Sequence, residues 1–297
     1  MRYSPFFIMK KIYFVGAGKV GTTLAGLLHG AKFHVKYIYE QNVDFRKLLK
    51  VHLPDTFIPN IINPNDLEES DVIFLTVNDE QIQLMAKELA SVEIDWKHKI
   101  VLHAAGIRSS HDLNSLKNLG AETGSLHPLQ SFNKKFLPQE TLNNVYFIFE
   151  GTKNAESFCR EMVAFLKGNF FKINANKKTN YHLGAVVYSN FLTALLQFGE
   201  MIFLKAGINN TESKRMIRPI VYRIIENYFN FGAKKSITGP LVRGDIETIE
   251  KHIQIMQDYF PGYINLYKEL SNLLLNNLAN MNSNQKTKLA KILNDMN

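Results

Sequence analysis

The sequence from Lys10 to Ala25, KKIYFVGAGKVGTTLA, is organised as a strand, a tight glycine turn and the start of a helix. The apolar run from Ile12 to Val15 has no polar alternation, as expected of a parallel strand buried on both faces. The glycines that follow have the G-x-G-x-x-G spacing, in which a turn and a helix N-terminus hold the pyrophosphate of a dinucleotide. The residues predicted to bind it are Gly16, Ala17, Gly18, Lys19, Val20 and Gly21.

A carboxylate follows the second predicted strand at the distance expected of a ribose-binding acid. Glu40 lies 19 residues after Gly21 and directly after the strand predicted over His34 to Tyr39. Such a carboxylate accepts hydrogen bonds from the adenosine ribose and repels the 2′-phosphate of NADP. Tyr39 and Glu40 are therefore predicted to bind the cofactor, with NAD preferred and NADP as the open alternative. A purely structural glycine turn would not need this acid.

Length and composition indicate two domains of ordinary size. The chain has 297 residues, of which 45% are hydrophobic, which is enough to build two cores. The formal net charge is +8, but the lysines are scattered along the chain, which favours a basic solvated surface over a nucleic-acid site. Cys159 is the only cysteine, so an intramolecular disulfide and a cysteine-based metal cluster are excluded.

The N-terminal segment has too short an apolar run for a signal peptide. No later run is expected to approach the roughly 18 apolar residues of a membrane span. We therefore expect a cytoplasmic protein that takes a small-molecule substrate and binds neither a membrane, nor nucleic acid, nor a metal ion. Residues 1–8 are expected to form a disordered extension ahead of the first strand.

Two further predicted strands end in small or polar residues. The strand predicted over Asp71 to Val77 runs into Asn78-Asp79, and the strand over Ile100 to His103 runs into a loop of small residues. In open α/β sheets, ligands bind at these carboxyl ends. Asp79 has an equally good alternative role as a helix cap. The residues predicted to lie near the nicotinamide are Val77, Asn78, Asp79, Ala104 and Gly106.

The alternation of strands and helices up to about Gly151 predicts an α/β fold, a Rossmann-type doubly wound parallel sheet. From residue 152 the pattern is almost wholly helical. We therefore predict a dinucleotide-binding domain at residues 1–151 and an all-helical domain at residues 152–297. Pro219 should kink or break the helix predicted over Thr211 to Phe231, because proline removes one ladder hydrogen bond.

Three places outside the glycine turn carry candidate chemistry. His127 ends a predicted strand before a proline and could move a proton near neutral pH, although a lone histidine is more often structural. His182 and Asn190 belong to a polar stripe on an otherwise apolar helix, which must meet water, a partner or a ligand. Arg243 lies in a glycine-proline loop suited to an anionic substrate, with a local ion pair to Asp245 as the alternative.

Six segments together resemble a known family. They are similar to bacterial proteins that join a Rossmann-like NAD(P)-binding domain to the domain of unknown function DUF2520. These are relatives of pyrroline-5-carboxylate reductase, ketopantoate reductase, and the 6-phosphogluconate and hydroxyisobutyrate dehydrogenases. The resemblance covers nearly the whole chain from about Met9. The segments that carry it are GAGKVG, SDVIFLTVNDEQI, LHAAGIRSS, GSLHPLQSF, YHLGAVVYSNFLTALL and TGPLVRGD.

The resemblance implies an NAD(P)-dependent oxidoreductase that acts on a small polar carbonyl, imine or hydroxy acid bound between its two domains. It also implies that the C-terminal helices form a homodimer. By the same resemblance His127 and Asn190 converge on the reacting carbon, where Asn190 orients the substrate and His127 moves the proton. The substrate-binding residues are then His182, Gly239, Pro240 and Arg243.

Two positions depart from the pattern of these relatives. The hydroxyacid and 6-phosphogluconate dehydrogenases place a lysine four residues before the helix asparagine, where this chain has Val186 before Asn190. Family members often carry a serine-arginine segment after the second strand, where this chain has Tyr39-Glu40-Gln41. Because no lysine supplies the acid, a non-catalytic NAD(P)-binding sensor or scaffold is the alternative function.

Overall fold

The computed structural model describes residues 9–29, 33–277 and 282–295. The predicted extension at residues 1–8 lies outside these residues. So does Met281, the predicted end of a helix that the sequence pattern starts near Tyr263. The chain divides into two compact units, residues 1–194 and 195–297. This division falls later than the predicted boundary at 151/152, because the chain adds one more strand to the sheet of the first unit after residue 151.

The first unit is built on a seven-stranded sheet with the order β2-β1-β3-β4-β5-β6-β7. Neighbouring strands are parallel except for β5 and β6, which are antiparallel. The predicted Rossmann-type sheet is confirmed, with this reversal near one edge. The strands are β1 Lys10–Val15, β2 Phe33–Tyr39, β3 Val72–Leu75, β4 Ile100–His103, β5 Glu122–Pro128, β6 Tyr146–Gly151 and β7 Asn169–Lys172.

Helices cover both faces of this sheet in two separate apolar clusters. Along β1, Ile12 and Phe14 join one cluster, whereas Tyr13 and Val15 join the other. This alternation confirms that the strand is buried on both faces, as its unbroken apolar sequence predicts. The helices of this part are α1 Lys19–Leu28, α2 Val43–His52, α3 Pro64–Glu68, α4 Ile82–Ala90, α5 Asn114–Lys117, α6 Lys153–Phe165 and α7 Lys178–Val186.

Two local predictions need correction. The sequence predicts Asp44 as the cap of a helix over Phe45 to Lys50, but Asn42 caps α2, because its side chain accepts the backbone N–H of Phe45. The long helix predicted from Thr179 to Ala206 contains a π-helical turn, Val187–Phe191, between α7 and α8 Leu192–Lys205. A π-turn adds a residue to the helical repeat, so the side chains that follow it are rotated from their predicted positions.

The second unit is all-helical. Its core gathers around Ile249, Leu275 and Leu289. Pro219 lies inside α9 without ending it, so the break that its ring predicts does not occur. The helices are α9 Asn210–Phe231, α10 Ala233–Ser236, α11 Pro240–Arg243, α12 Ile246–Tyr259, α13 Ile264–Asn277 and α14 Ser283–Asn294.

The helical stretch 175–205 is long and apolar enough to cross a membrane, judged by length and composition alone. Its mean hydropathy over the most apolar window is 1.3, and none of that window is buried within the chain. This stretch corrects the expectation that no run of the sequence approaches a membrane span. An exposed apolar surface of this kind is stabilised by contact with a protein partner or with lipid.

Candidate functional site

The glycine turn after β1 is packed too tightly for side chains at two of its three glycines. Gly16 has φ +100°, where L-residues are strained, and a Cβ there would lie 3.0 Å from the backbone of Thr76. A Cβ at Gly21 would lie 2.3 Å from the Thr76 hydroxyl oxygen. The protein's own packing between β1, α1 and the end of β3 therefore requires both glycines.

Gly18 differs, because the protein itself leaves room beside it. It is exposed, its φ is an ordinary −68°, and a Cβ there would make only an ordinary contact, 3.6 Å from the Thr76 carbonyl oxygen. Within the described chain no side chain caps α1, and its first turn holds no acid. The first N–H groups of α1 are thus free for an anion, and the turn fits a pyrophosphate.

Residues predicted around this turn adjoin it at the strand ends. The backbone N–H of Gly16 donates to the carbonyl of Tyr39 over 3.2 Å. The Val77 side chain lies 3.0 Å from the position of a Gly16 Cβ. The side chain of Asn78 makes no capping hydrogen bond in the described structure, and a 3₁₀ turn, Asp79–Gln81, precedes α4. The sequence predicts that Asn78-Asp79 caps a helix over Glu80 to Ala90. Asn78 does not cap it and Asp79 lies inside the 3₁₀ turn, so this prediction is wrong.

Glu40, at the end of β2, is held by a backbone N–H and lies in the field of a lysine. Its carboxylate accepts the backbone N–H of Asn42 over 2.8 Å, ahead of α2. Lys135, from the segment after β5, places its ammonium group 3.0 Å from the ring centre of Phe45. Burial lowers the pKa of Lys135, and the Glu40 carboxylate opposes that shift. The predicted ribose-binding acid thus has a cation within its field.

The loop after β4 is tied down by a buried histidine. One ring nitrogen of His103, Nε2, lies 3.0 Å from the Ser109 carbonyl oxygen, and the other, Nδ1, accepts the backbone N–H of Ala105 over 3.2 Å. Burial lowers the pKa of His103 to about 3, so the ring is neutral and Nε2 carries the proton it donates. Ala104 and Gly106 therefore lie on a fixed loop at the carboxyl edge of the sheet.

His127, at the end of β5, meets the first turn of α7 across this loop. Its Nδ1 lies 2.7 Å from the Tyr181 hydroxyl, and its ring centre lies 6.4 Å from that of His182. A Cβ at Gly106 would lie 2.6 Å from His182 Nδ1 and 3.1 Å from His127 Nε2. Only glycine lets the two imidazoles pack here, which brings three predicted site residues together: Gly106, His127 and His182.

The histidine-tyrosine pair is neutral at physiological pH. Burial, and secondarily the charge of Lys178, lower the pKa of His127 to about 4. Burial raises the pKa of the Tyr181 hydroxyl. Tyr181 can then donate its proton to Nδ1 of His127, which leaves the ring proton on Nε2, on the side of Gly106. Such a pair can donate a hydrogen bond or relay a proton without carrying net charge.

The sequence prediction missed three side chains that complete this cluster, those of Lys178, Ser125 and Tyr181. The ammonium group of Lys178 is buried and donates to the Ala105 carbonyl over 2.9 Å and to the Ser125 hydroxyl. Tyr181 is the hydrogen-bonding partner of His127. The available signal was spacing, because Lys178, Tyr181 and His182 stand at i, i+3 and i+4 and share one helical face.

Other predicted residues lie elsewhere. Asn190 is exposed on the π-turn, and its side-chain oxygen accepts the Ser189 hydroxyl over 2.8 Å. Among the described residues, Tyr181 and His182 are the hydrogen-bonding and ring partners of His127. The role of Asn190 opposite His127 therefore stays a prediction.

The predicted substrate loop lies in the second unit, where Gly239 precedes α11 and Pro240 begins it. Arg243 is 4.0 Å from Asp245, whose side chain caps α12 through the backbone N–H of Thr248. These contacts match the alternative prediction, a local ion pair between Arg243 and Asp245. Binding of an anionic substrate by Arg243 stays a prediction.

Comparison with known families identifies both parts of the chain. Residues 9–128 match the Rossmann-like domain, and residues 145–274 match DUF2520, the domain of unknown function. The chain therefore carries a Rossmann-like domain followed by a DUF2520 domain. This result confirms the resemblance carried by the glycine turn and by the HPLQSF and GPLVRGD segments.

Solved structures from three organisms have the same fold. A protein of Bacteroides fragilis assigned as an NADP oxidoreductase is 18% identical, with a TM-score of 0.73 over 91% of this chain and 99% of that one. A protein of Thermotoga maritima is 25% identical, with a TM-score of 0.69 over 90% and 97%. The pyrroline carboxylate reductase of Plasmodium falciparum with NADP bound is 13% identical, with a TM-score of 0.59 over 97% and 98%. No curated protein matches the sequence significantly.

Proposed function

We propose that this Rossmann-like/DUF2520 protein is an NAD(P)-dependent oxidoreductase acting on a small polar carbonyl, imine or hydroxy acid. The observation that carries the proposal is the neutral His127–Tyr181 pair beside Gly106, at the same sheet edge as the glycine turn. Ligands of doubly wound sheets bind at this edge. Of the structures that share the fold, the Bacteroides protein is named as an NADP oxidoreductase and the Plasmodium protein as a pyrroline carboxylate reductase with NADP bound.

Each part of the site has a distinct role in this proposal. The turn from Gly16 to Gly21 and the N-terminus of α1 hold the pyrophosphate. When bound, the nicotinamide supplies or accepts a hydride at carbon. His127 donates a hydrogen bond from Nε2 to the substrate oxygen or nitrogen and passes it that proton. The Tyr181 proton then moves to Nδ1, and a proton from solvent restores the Tyr181 hydroxyl. Gly106 leaves the space in which the reacting atoms approach the imidazole.

The proposal is tested by the oxidation of NADH and of NADPH with a panel of small aldehydes, ketones, keto acids and cyclic imines. We expect turnover with at least one member and a loss of roughly 10² to 10⁴ in kcat for His127→Asn. Tyr181→Phe, which keeps the ring but removes the hydroxyl, should lower kcat with little change in cofactor affinity. Tight cofactor binding without turnover across the panel would instead favour the sensor or scaffold function.

We also propose that the protein prefers NAD(H), because Glu40 repels the 2′-phosphate of NADP. Unit charges about 4 Å apart at an effective dielectric of about 20 repel by roughly 4 kcal/mol before screening, and a quarter of this would be measurable. Lys135 opposes the preference, since its ammonium group lies in the field of the Glu40 carboxylate.

Fluorescence titration of both reduced cofactors measures this preference. Glu40→Ser should tighten NADPH binding relative to NADH, and Lys135→Ala should weaken NADPH binding relative to NADH. Tighter binding of NADPH than of NADH by the wild-type protein would refute the proposed preference. An unchanged ratio in Glu40→Ser would show that this carboxylate does not contact the ribose.

A further inference from the structure

Lys178 is a buried cation at the start of a helix, where a lysine is electrostatically out of place. Only 1% of its surface is exposed, and α7, which it begins, is nine residues long. The N-terminus of a helix carries a partial positive charge that disfavours another cation. Burial of an ammonium group is unfavourable unless other groups compensate for it. A lysine kept in this place indicates a use for its charge or for its donors.

Two of its donors are used in the protein interior. The ammonium group donates to the Ala105 carbonyl over 2.9 Å and to the Ser125 hydroxyl. The Ser125 hydroxyl in turn lies 3.3 Å from the same Ala105 carbonyl. Lys178 therefore joins the loop after β4 to strand β5, within the first unit of the chain.

Two side-chain contacts between β5 and α7 place Lys178 close to His127. Ser125 and His127 are two residues apart on a strand and point to the same side of the sheet. Lys178 and Tyr181 are three residues apart on a helix and share one face. Two neighbouring hydrogen bonds result, one between Lys178 and Ser125 and one between Tyr181 and His127.

The charge of Lys178 is not neutralised by an ion pair within 4 Å in the described parts of the chain. Burial lowers the pKa of Lys178 to about 8, and more distant carboxylates oppose that shift. Those carboxylates belong to Glu150 on β6, Asp79 after β3 and Asp112 on a 3₁₀ turn. The other ionisable groups that face this region are His103, Arg108, His127, Tyr181 and His182.

We propose that Lys178 is a positioning residue that anchors the 104–106 loop to β5 and whose charge adds to burial in keeping the neighbouring His127 imidazole neutral. A neutral imidazole can accept the Tyr181 hydroxyl proton at Nδ1 while it donates from Nε2, whereas in a charged imidazole both ring nitrogens are donors and Nδ1 cannot accept. Its consequence for turnover rests on the proposed function.

An NMR titration of the His127 ring tests this proposal without any turnover. The protein is labelled in its histidine rings, and the His127 signal is assigned by its loss in His127→Asn. In Lys178→Met, which keeps the chain length and removes the charge, the pKa of His127 should rise towards its ordinary value by about half a pH unit or more. In Lys178→Arg and in Ser125→Ala, which keep the charge, it should stay low.

The wild-type protein gives a second measurement if Lys178→Met does not fold. As pH rises through about 8, the value to which burial lowers the pKa of Lys178, the ammonium group loses its proton. The His127 ring signals should then shift a second time, although the ring itself is already neutral. Identical titration of His127 in folded Lys178→Met, or flat ring signals across pH 7 to 9.5 in the wild type, would overturn the proposal. Inactivity on the substrate panel would leave this result untouched.

Discussion

His103 links the sequence of β4 to the rigidity of the loop beside the proposed nicotinamide site. Both of its ring nitrogens bond to backbone atoms of the segment 105–109, and its side chain is fully buried. The residue type was visible in the strand sequence, but nothing in that sequence distinguishes a histidine that ties a loop from one that binds a ligand. The bonds to Ser109 and Ala105 decide in favour of the structural role.

The neutral state of His103 predicts a loss of stability in mild acid. Burial lowers its pKa to about 3 in the folded protein, whereas the unfolded chain binds a proton below about 6.5. Stability from this group is therefore complete above about pH 6.5 and is lost as pH falls from there towards 3. At pH 5 the loss from His103 alone amounts to about 2 kcal/mol.

Urea unfolding at pH 7 and pH 5 measures this loss. His103→Gln should be less stable than the wild-type protein at pH 7 because it breaks the two loop bonds. It should nevertheless lose less stability than the wild type between the two pH values. An equal loss in both proteins would show that His103 is not held neutral by burial.

The close packing of Gly21 in the glycine turn predicts how substitutions on α1 change the stability of the protein. Gly21→Ala should destabilise the protein by about 1 to 3 kcal/mol, because its Cβ would lie 2.3 Å from the Thr76 hydroxyl oxygen and 2.6 Å from the Gly16 carbonyl oxygen. Gly26 lies on the same helix, where a Cβ would meet only a Phe136 ring carbon at 3.8 Å. Gly26→Ala is therefore the matched control and should stabilise the helix by up to about 1 kcal/mol. Equal melting temperatures for the two variants would contradict this account of the turn.

The elements that were predicted correctly are those defined by short-range patterns. The β1 strand, its glycine turn and α1 follow from sixteen consecutive residues, Lys10 to Ala25. The reversal of β6 was not predictable from its apolar sequence. The segment between β5 and β6 has no crossover helix, and without one the two strands pair antiparallel.

The reactive part of the site was predicted only in fragments, because its contacts are distant in sequence. His127 and His182 were both candidates, but the bond from His127 to Tyr181 spans 54 positions. Asn190 was placed opposite His127 by the family resemblance, and its place on one polar stripe with His182 assumed an uninterrupted α-helix. The π-turn at Val187–Phe191 invalidates that assumption, and it depends on hydrogen-bond spacing that residue types do not reveal.

The helices on either side of the π-turn and α9 present many large apolar side chains to solvent. Monomeric soluble proteins rarely expose apolar surface of this extent. We predict that a second copy of the chain covers it, since a stripe that also carries polar groups such as Asn190 suits a protein partner better than lipid. The side chains concerned include Leu183, Tyr188, Phe191, Leu196, Leu204, Met216, Ile220, Tyr222 and Phe229.

Light scattering at micromolar concentration tests this prediction. The wild-type protein should have the mass of a dimer, and Phe229→Glu should shift it towards monomer, because Phe229 is 77% exposed in the single chain. Leu84→Glu is the control, since Leu84 is 60% exposed on α4 of the first unit. A stable wild-type monomer that stays in solution would contradict the prediction. Partition of the wild type into lipid vesicles would assign the apolar surface to a membrane.

The central claim, that this chain binds a nicotinamide dinucleotide on its glycine turn, is tested most directly at Gly18. The backbone there adopts an ordinary φ of −68°, and a Cβ would make no close contact with the protein itself. Gly18→Ala should therefore keep the wild-type melting temperature while its Cβ occupies the path of the pyrophosphate. The measurement is fluorescence titration of NADH and NADPH into wild-type protein and Gly18→Ala. The account predicts saturable binding by the wild type and at least about tenfold weaker binding by the variant. Failure of the wild type to bind either cofactor, or equal affinities in the two proteins, would contradict it.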